Sequence, residues 1–284
     1  MHLATILRAI KFEHTAFALP WAYTGAVLAA GKIPSPLVLL WITLAMVGAR
    51  SAAMAWNRLV DLDIDSRNPR TAGREYPRGL LSPGELILFA GVSLGLLLYA
   101  ALRLNTLCLL LSPVAVFMLI FYSYTKRFTW LTHFFLGGTL GMAPVGGWLG
   151  VTGRLAGEPL VLWLAVTLWV AGFDVLYQGQ DLEFDRRTGL HSIPSRFGLR
   201  ASFYVALGLH ALTLLILLAA RWLFSLGVWF LGGVAVIGVI FAAETALLLG
   251  RGSLPVRLKR AFDLNLAVST VILAAVLLDM VGPG

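Results

Sequence analysis

Two acidic segments carry the residues in this chain best suited to chemistry. The first is NRLVDLDID, Asn57 to Asp65, and the second is DVLYQGQDLEFD, Asp174 to Asp185. Asp61-Leu-Asp-Ile-Asp65 aligns with Asp181-Leu-Glu-Phe-Asp185 at an offset of 120 residues. At about 100° per helical residue, Asn57, Asp61 and Asp65 fall within roughly 80° of one another, and so do Asp174, Tyr177, Asp181 and Asp185. Each set is expected to form one acidic stripe, with Asp63 and Glu183 pointing away. Crowded carboxylates repel one another, and a hard divalent cation relieves the repulsion. Mg²⁺ takes oxygen ligands and usually binds through one or two carboxylates together with substrate phosphates. Two facing stripes therefore suit a diphosphate held between metal ions. Arg67, Arg70, Arg74, Lys126 and Arg127 are expected to neutralise the remaining phosphate charge, Arg supplying a bidentate fork.

The elements that must position these groups are membrane spans. The 284 residues are 59% hydrophobic and 13% charged, where a soluble domain is nearer a quarter charged. Apolar runs of about 20 residues recur, the length that crosses a hydrocarbon core roughly 30 Å thick. Nine spans are predicted, near 13–31, 36–56, 84–102, 105–124, 132–152, 159–179, 201–221, 226–249 and 263–281. The runs are continuous rather than alternating, which argues against a β-barrel. The basic start, Arg8 and Lys11 before an apolar run, predicts a retained first helix rather than a cleaved leader.

Between these spans, 17 of the 22 Lys and Arg residues fall on one side, four fall on the other, and Arg50 lies inside the second span. Cytoplasmic loops carry the Lys/Arg excess, so the N-terminus and both acidic segments are expected at the cytoplasmic face of an inner or plasma membrane. The net charge of +8 is then a topological signal with attraction to anionic lipid, not a nucleic-acid footprint. Each acidic segment follows an even-numbered span. The expected architecture is an all-α membrane protein of nine transmembrane helices, two four-helix halves plus a ninth helix, forming one domain over 1–284. The lone Cys108 allows no internal disulfide and is expected to pack as a small hydrophobe.

The paired segments resemble the signatures of the UbiA superfamily of intramembrane prenyltransferases, NDxxDxxxD and DxxxD. YSYTKRFTW (Tyr122–Trp130) and GLHSIPSRFG (Gly189–Gly198) extend the resemblance over nearly the whole chain. It implies helices around a central cavity, with Asn57, Asp61, Asp65, Asp181 and Asp185 holding Mg²⁺ and the diphosphate of an isoprenyl donor. An apolar tunnel would take the prenyl tail, and an aromatic acid acceptor would sit above the reacting carbon. Two positions depart from the pattern. Arg58 stands where the first motif usually has Asp, and His191 stands where many 4-hydroxybenzoate enzymes carry Lys. With NPRTAGRE and HSIPSRFG, His191 is closer to the branch serving menaquinone through futalosine, whose acceptor is a dihydroxynaphthoate. His191 is expected to touch the diphosphate or the acceptor.

The implied reaction is electrophilic aromatic substitution. Tyr177 and Phe173 are candidates to face the cation-like prenyl carbon. Asp174, an ionisable group one turn deeper, is expected to face the acceptor or to orient Tyr177. Arg50 shares the Asn57 face, Glu244 is either a buried hydrogen-bonded acid or a site residue, and His133 is expected at the interface. A secondary transporter is the alternative reading, but its site would lie near the bilayer midplane, whereas these acids sit at helix ends.

Overall fold

The computed structural model describes residues 3–281, apart from the side chains of residues 13, 14 and 16. Among the described residues every regular element is helical. The helices are α1 (Leu3–Ala9), α2 (Leu19–Ala30), α3 (Pro36–Val60), α4 (Leu62–Arg67), α5 (Pro83–Leu104), α6 (Thr106–Thr125), α7 (Thr132–Thr152), α8 (Glu158–Gln178), α9 (Leu182–Thr188), α10 (Ile193–Leu223), α11 (Val228–Leu249) and α12 (Leu254–Val281). Eight spans, containing α3, α5, α6, α7, α8, α10, α11 and α12, are long and apolar enough to cross a membrane. The chain is a multi-span membrane protein.

The first expected span, 13–31, is broken. A 3₁₀ turn over Phe12–Phe17 precedes α2, and Pro20 occupies the first turn of that helix. Proline fits a helix start but lacks the N–H needed further in. The 12 residues of α2 reach only about 18 Å at 1.5 Å per residue. Pro113 and Pro144, in contrast, lie inside α6 and α7. Several starts are written locally. Ser35, Ser82 and Ser192 accept backbone N–H groups at the N-termini of α3, α5 and α10, each followed by Pro in the first turn.

Glycine allows α7 to pack closely on two sides. A Cβ on Gly137 would lie 2.3 Å from the Thr167 carbonyl oxygen of α8, and one on Gly147 would lie 1.9 Å from that of Ala22 in α2. Helices in lipid approach through such small residues. Helix α2 is further packed by α12, which also rests on α8. The main apolar core, including Trp21, Trp169, Phe230 and Ile272, fills this junction.

A cavity of about 310 Å³ opens among α2, α3, α5, α6 and α7. Its wall is almost wholly apolar, with Met46, Leu97, Leu111 and Leu140 among its residues, and Arg50 is its charged member. Tyr122 also lines it, next to Ser123, whose hydroxyl accepts from Asn57 Nδ2 at 3.5 Å. One wall residue of the cavity is thus the chain neighbour of a residue that touches the first acidic segment. Cys108 lines the same cavity and is only half-buried.

Candidate active site

Both acidic segments break their helix at the same residue. Helix α3 stops at Val60 and α4 begins at Leu62; between them Asp61 has φ −93° and ψ 5°. After α8 a 3₁₀ turn over Gly179–Asp181 leads into α9, and Asp181 has φ −100° and ψ 4°. Neither side chain caps the short helix that follows, so both carboxylates are available to other partners. The four stripe acids Asp61, Asp65, Asp181 and Asp185 are buried, with exposures of 2, 6, 3 and 2%. Asp63 and Glu183 face outward.

Buried carboxylates need partners, and here they are largely bases. Lys126 Nζ donates to Asp61 Oδ2 at 2.6 Å, Asn57 Nδ2 to the same oxygen at 2.8 Å, and Arg127 Nη2 to Oδ1 at 3.1 Å. Asp65 Oδ2 accepts from Arg74 at 2.7 Å and Arg58 at 3.2 Å. Burial alone would push the Asp65 carboxyl up, but the Arg74 and Arg58 guanidinium groups outweigh it and hold it below the usual carboxylate range. Asp185 accepts from two neutral groups, Gln178 at 3.0 Å and Ser192 at 3.1 Å.

The loop after α4 joins the two segments. Asn68 Nδ2 donates to Asp181 Oδ1 at 2.8 Å, and Arg70 forks onto both Asp181 oxygens while Nη1 reaches Tyr177 Oη at 3.4 Å. Lys126, paired with Asp61, also acts electrostatically on Asp65 and Asp185. Residues about 110 positions apart in sequence therefore share one acid–base lattice at one end of the bundle.

Several sequence expectations need correction. Arg67 does not join the lattice. It pairs with Asp63 on the outer face of α4, their side chains 57% and 80% exposed. The spacing explains this, because four residues along a helix returns to nearly the same face. Arg70 fills the inward position instead. Arg58 is a buried member of the lattice, donating also to Ala9 O at 3.0 Å. The His191 side chain is exposed, and its contribution here is a backbone N–H donated to Lys126 O at 2.8 Å. His133, the second residue of α7, is fully buried in the protein, 2.7 Å from Asp174 Oδ2. That contact replaces the expected Asp174–Tyr177 link, and the Tyr177 hydroxyl instead meets Arg70. Asn68, Gln178 and Ser192 carried little linear signal, since their partners lie in other segments or across a turn.

The lattice bears on metal binding. Among the described residues no three Asp, Glu, His or Cys side chains form one cation-ready cluster. Each acid is engaged by basic, amide or hydroxyl groups. The oxygen-rich donors, Asn57 with four buried carboxylates, are still the type that suits a hard cation such as Mg²⁺.

Buried, duplicated acids thus lie at one end of a many-helix membrane bundle that also encloses an apolar cavity. The comparisons specify the class. Residues 18–267 match the UbiA prenyltransferase family, and the chain belongs to that family. It is 34% identical over 257 residues to the 4-hydroxybenzoate octaprenyltransferase of Nitrosomonas eutropha, covering 90% of this chain and 88% of that one. The corresponding protein of Aliivibrio fischeri is 31% identical over 225 residues, covering 79% and 78%. Among solved structures, the apo UbiA homolog from Aeropyrum pernix K1 superposes with a TM-score of 0.87 at 35% identity, over 94% of this chain and 98% of that one. A UbiA homolog from Archaeoglobus fulgidus bound to GPP and Mg²⁺ shares the fold, with a TM-score of 0.72 at 18% identity over 96% and 99% of the two chains. The protein is a prenyltransferase of the kind its curated relatives represent.

Proposed function

We propose that the protein transfers a polyprenyl group from an isoprenyl diphosphate to the ring of a hydroxylated aromatic acid, in the making of a ubiquinone or menaquinone precursor. The observation that carries this reading is the lattice joining both acidic segments beside the apolar cavity. The relatives' names favour 4-hydroxybenzoate as the acceptor over the dihydroxynaphthoate to which His191 pointed.

In this reading Asn57, Asp61, Asp65, Asp181 and Asp185 hold Mg²⁺, as the Archaeoglobus homolog's bound metal suggests. Bound Mg²⁺ supplies charge stabilisation for the departing diphosphate. Arg70, Arg74, Lys126 and Arg127 swing from carboxylate to phosphate oxygens, and their number matches a headgroup of several negative charges. The prenyl tail lies in the cavity below Asn57. Tyr177 presents an aromatic face to the prenyl carbon as it becomes cation-like; its ring packs at 4.6 Å on Phe262, which meets Phe173 at 5.5 Å. Asp174, one turn deeper, faces the acceptor. Helix α2 with its preceding 3₁₀ turn counts as the ninth crossing of a single domain, in two four-helix halves plus a final helix. The acidic end faces the cytoplasm, at the inner membrane.

A product assay tests the reading. Detergent-purified protein is incubated with Mg²⁺, geranyl or longer isoprenyl diphosphates, and either 4-hydroxybenzoate or 1,4-dihydroxy-6-naphthoate, and products are identified by mass. Prenylated 4-hydroxybenzoate is expected, lost with chelator and lost in Asp61→Ala and Asp181→Ala. Wild-type turnover in either variant would overturn the assignment.

A further inference from the structure

Two backbone N–H groups stitch the α9–α10 loop to the α6–α7 region. His191 donates to Lys126 O, and Ile193 donates to Nε2 of His133 at 3.2 Å. The second bond fixes the chemistry of the imidazole. Because Nε2 accepts, it must present a lone pair, and the ring proton sits on Nδ1. Nδ1 lies 2.7 Å from Asp174 Oδ2, so the hydrogen bond runs from His133 to the carboxylate. A doubly protonated ring would set Nε2–H against the Ile193 N–H. His133 is 0% exposed and has no other orientation that serves both partners. The Asp174 side chain is 20% exposed, so it is not closed off by this contact. Asp174 lies three residues, about 4.5 Å of helix rise, below Tyr177, whose hydroxyl meets the Arg70 that holds Asp181.

We propose that His133 is a positioning residue. It holds Asp174 by one oxygen so that the other accepts the proton lost by the aromatic ring. This rests on the prenyl-transfer reading above and names the base that the reading requires. In the donor, the C–O bond breaks and its electron pair leaves with the diphosphate. A ring π pair forms the new C–C bond at the carbon ortho to the hydroxyl. The ring C–H bond then breaks, its pair restores aromaticity, and the proton passes to Asp174, which returns it to water as product leaves. The Ile193 contact ties this geometry to the second acidic segment, since Ser192, its neighbour, holds Asp185.

The test uses the full-length protein in detergent with Mg²⁺, geranyl diphosphate and 4-hydroxybenzoate, the latter also deuterated at both positions ortho to the hydroxyl. His133→Ala should lower kcat on the order of 10²-fold, as misplacing a reacting group does, with the donor KM held within about two-fold of wild type on that account. A primary isotope effect absent from wild type should appear, because proton removal becomes slow. His133→Gln, which offers one donor and one acceptor like the ring, should recover most of kcat. His133→Phe, which fills the site but makes neither hydrogen bond, should lower kcat as His133→Ala does, and in an Asp174→Asn background it should have no further effect. Histidine labelled with ¹⁵N should show a ring protonated at Nδ1 whose signal is missing in His133→Gln. A folded His133→Ala protein with wild-type kcat, a loss confined to donor KM, or independent losses that multiply in the double variant would each overturn the proposal. If His133→Ala does not fold, the double variant and the ¹⁵N spectrum still decide. Failure of wild type to prenylate 4-hydroxybenzoate would instead sink the underlying reading.

Discussion

Replacing Asp61 or Asp65 by Ala removes the same carboxylate from the same segment, yet the two changes should differ sharply in stability. Asp65 neutralises Arg58, and these side chains are 8% and 6% exposed. Without Asp65, Arg58 keeps the Ala9 carbonyl as its hydrogen-bond acceptor among the described residues and loses its paired carboxylate while remaining buried. Removing one partner of a buried pair costs about 3–5 kcal/mol. Asp61 instead pairs with Lys126 and Arg127, whose side chains are 24% and 32% exposed and can turn to solvent. Its loss should cost about 1 kcal/mol or less, the range of accessible ion pairs. At roughly 2–4 °C per kcal/mol for a chain of this size, Asp65→Ala should melt on the order of 10 °C below Asp61→Ala. Thermal unfolding of both proteins in one detergent, followed by loss of monodisperse protein at a fixed heating rate, measures the gap. A further arm replaces the buried pair as a unit, Arg58→Met with Asp65→Leu, and should recover part of the loss because no buried charge is left alone. Equal midpoints for the two single variants would refute the reasoning, since Arg58 would then not depend on Asp65.

The remaining predictions are shorter. Arg70→Ala should raise the donor KM roughly ten- to a hundred-fold, the equivalent of about 1.5–3 kcal/mol for a charged hydrogen bond, while Arg67→Ala should leave it unchanged; steady-state kinetics with geranyl diphosphate would contradict the lattice if Arg67 mattered more. Gly147→Ala would place a methyl 1.9 Å from the Ala22 carbonyl oxygen, so it should destabilise by about 1–3 kcal/mol, seen as a lower unfolding midpoint. Asp65 also predicts a pH dependence. Its folded carboxyl titrates below its unfolded value near 4, so the unfolded chain binds the proton first as pH falls. The contribution of Asp65 is complete above pH 4 or so and is lost as pH drops through the folded value; unfolding midpoints from pH 7 to 3 should fall less steeply in Asp65→Asn than in wild type.

Local periodicity was enough to find the acidic stripes and most spans. The four-residue spacing of Asp61 and Asp65, or of Asp181 and Asp185, marks each pair as turned to one side, and both pairs are buried even though the helix breaks at the first acid of each; an apolar run of 20 residues suits a bilayer wherever it occurs. The same wheel contained the reason to set Arg67 aside, because it shares a face with Asp63, already turned outward. The shortness of α2 was likewise legible at Pro20, which begins a helix rather than continuing one.

Tertiary structure alone decided which base meets which acid. Arg70 reaches Asp181 from 111 residues away, Lys126 reaches Asp61 from 65, and His133 reaches Asp174 from 41. No helical period links such positions. The path of the loop after Asn68 turns Arg70 inward, and the depth at which α7 packs on α8 buries His133. Sequence determined the chemical groups and their faces because those depend on a few neighbouring dihedrals. The partners depend on how whole helices pack, where a buried charge must find a counter-charge or a polar partner from whichever segment the packing brings to it.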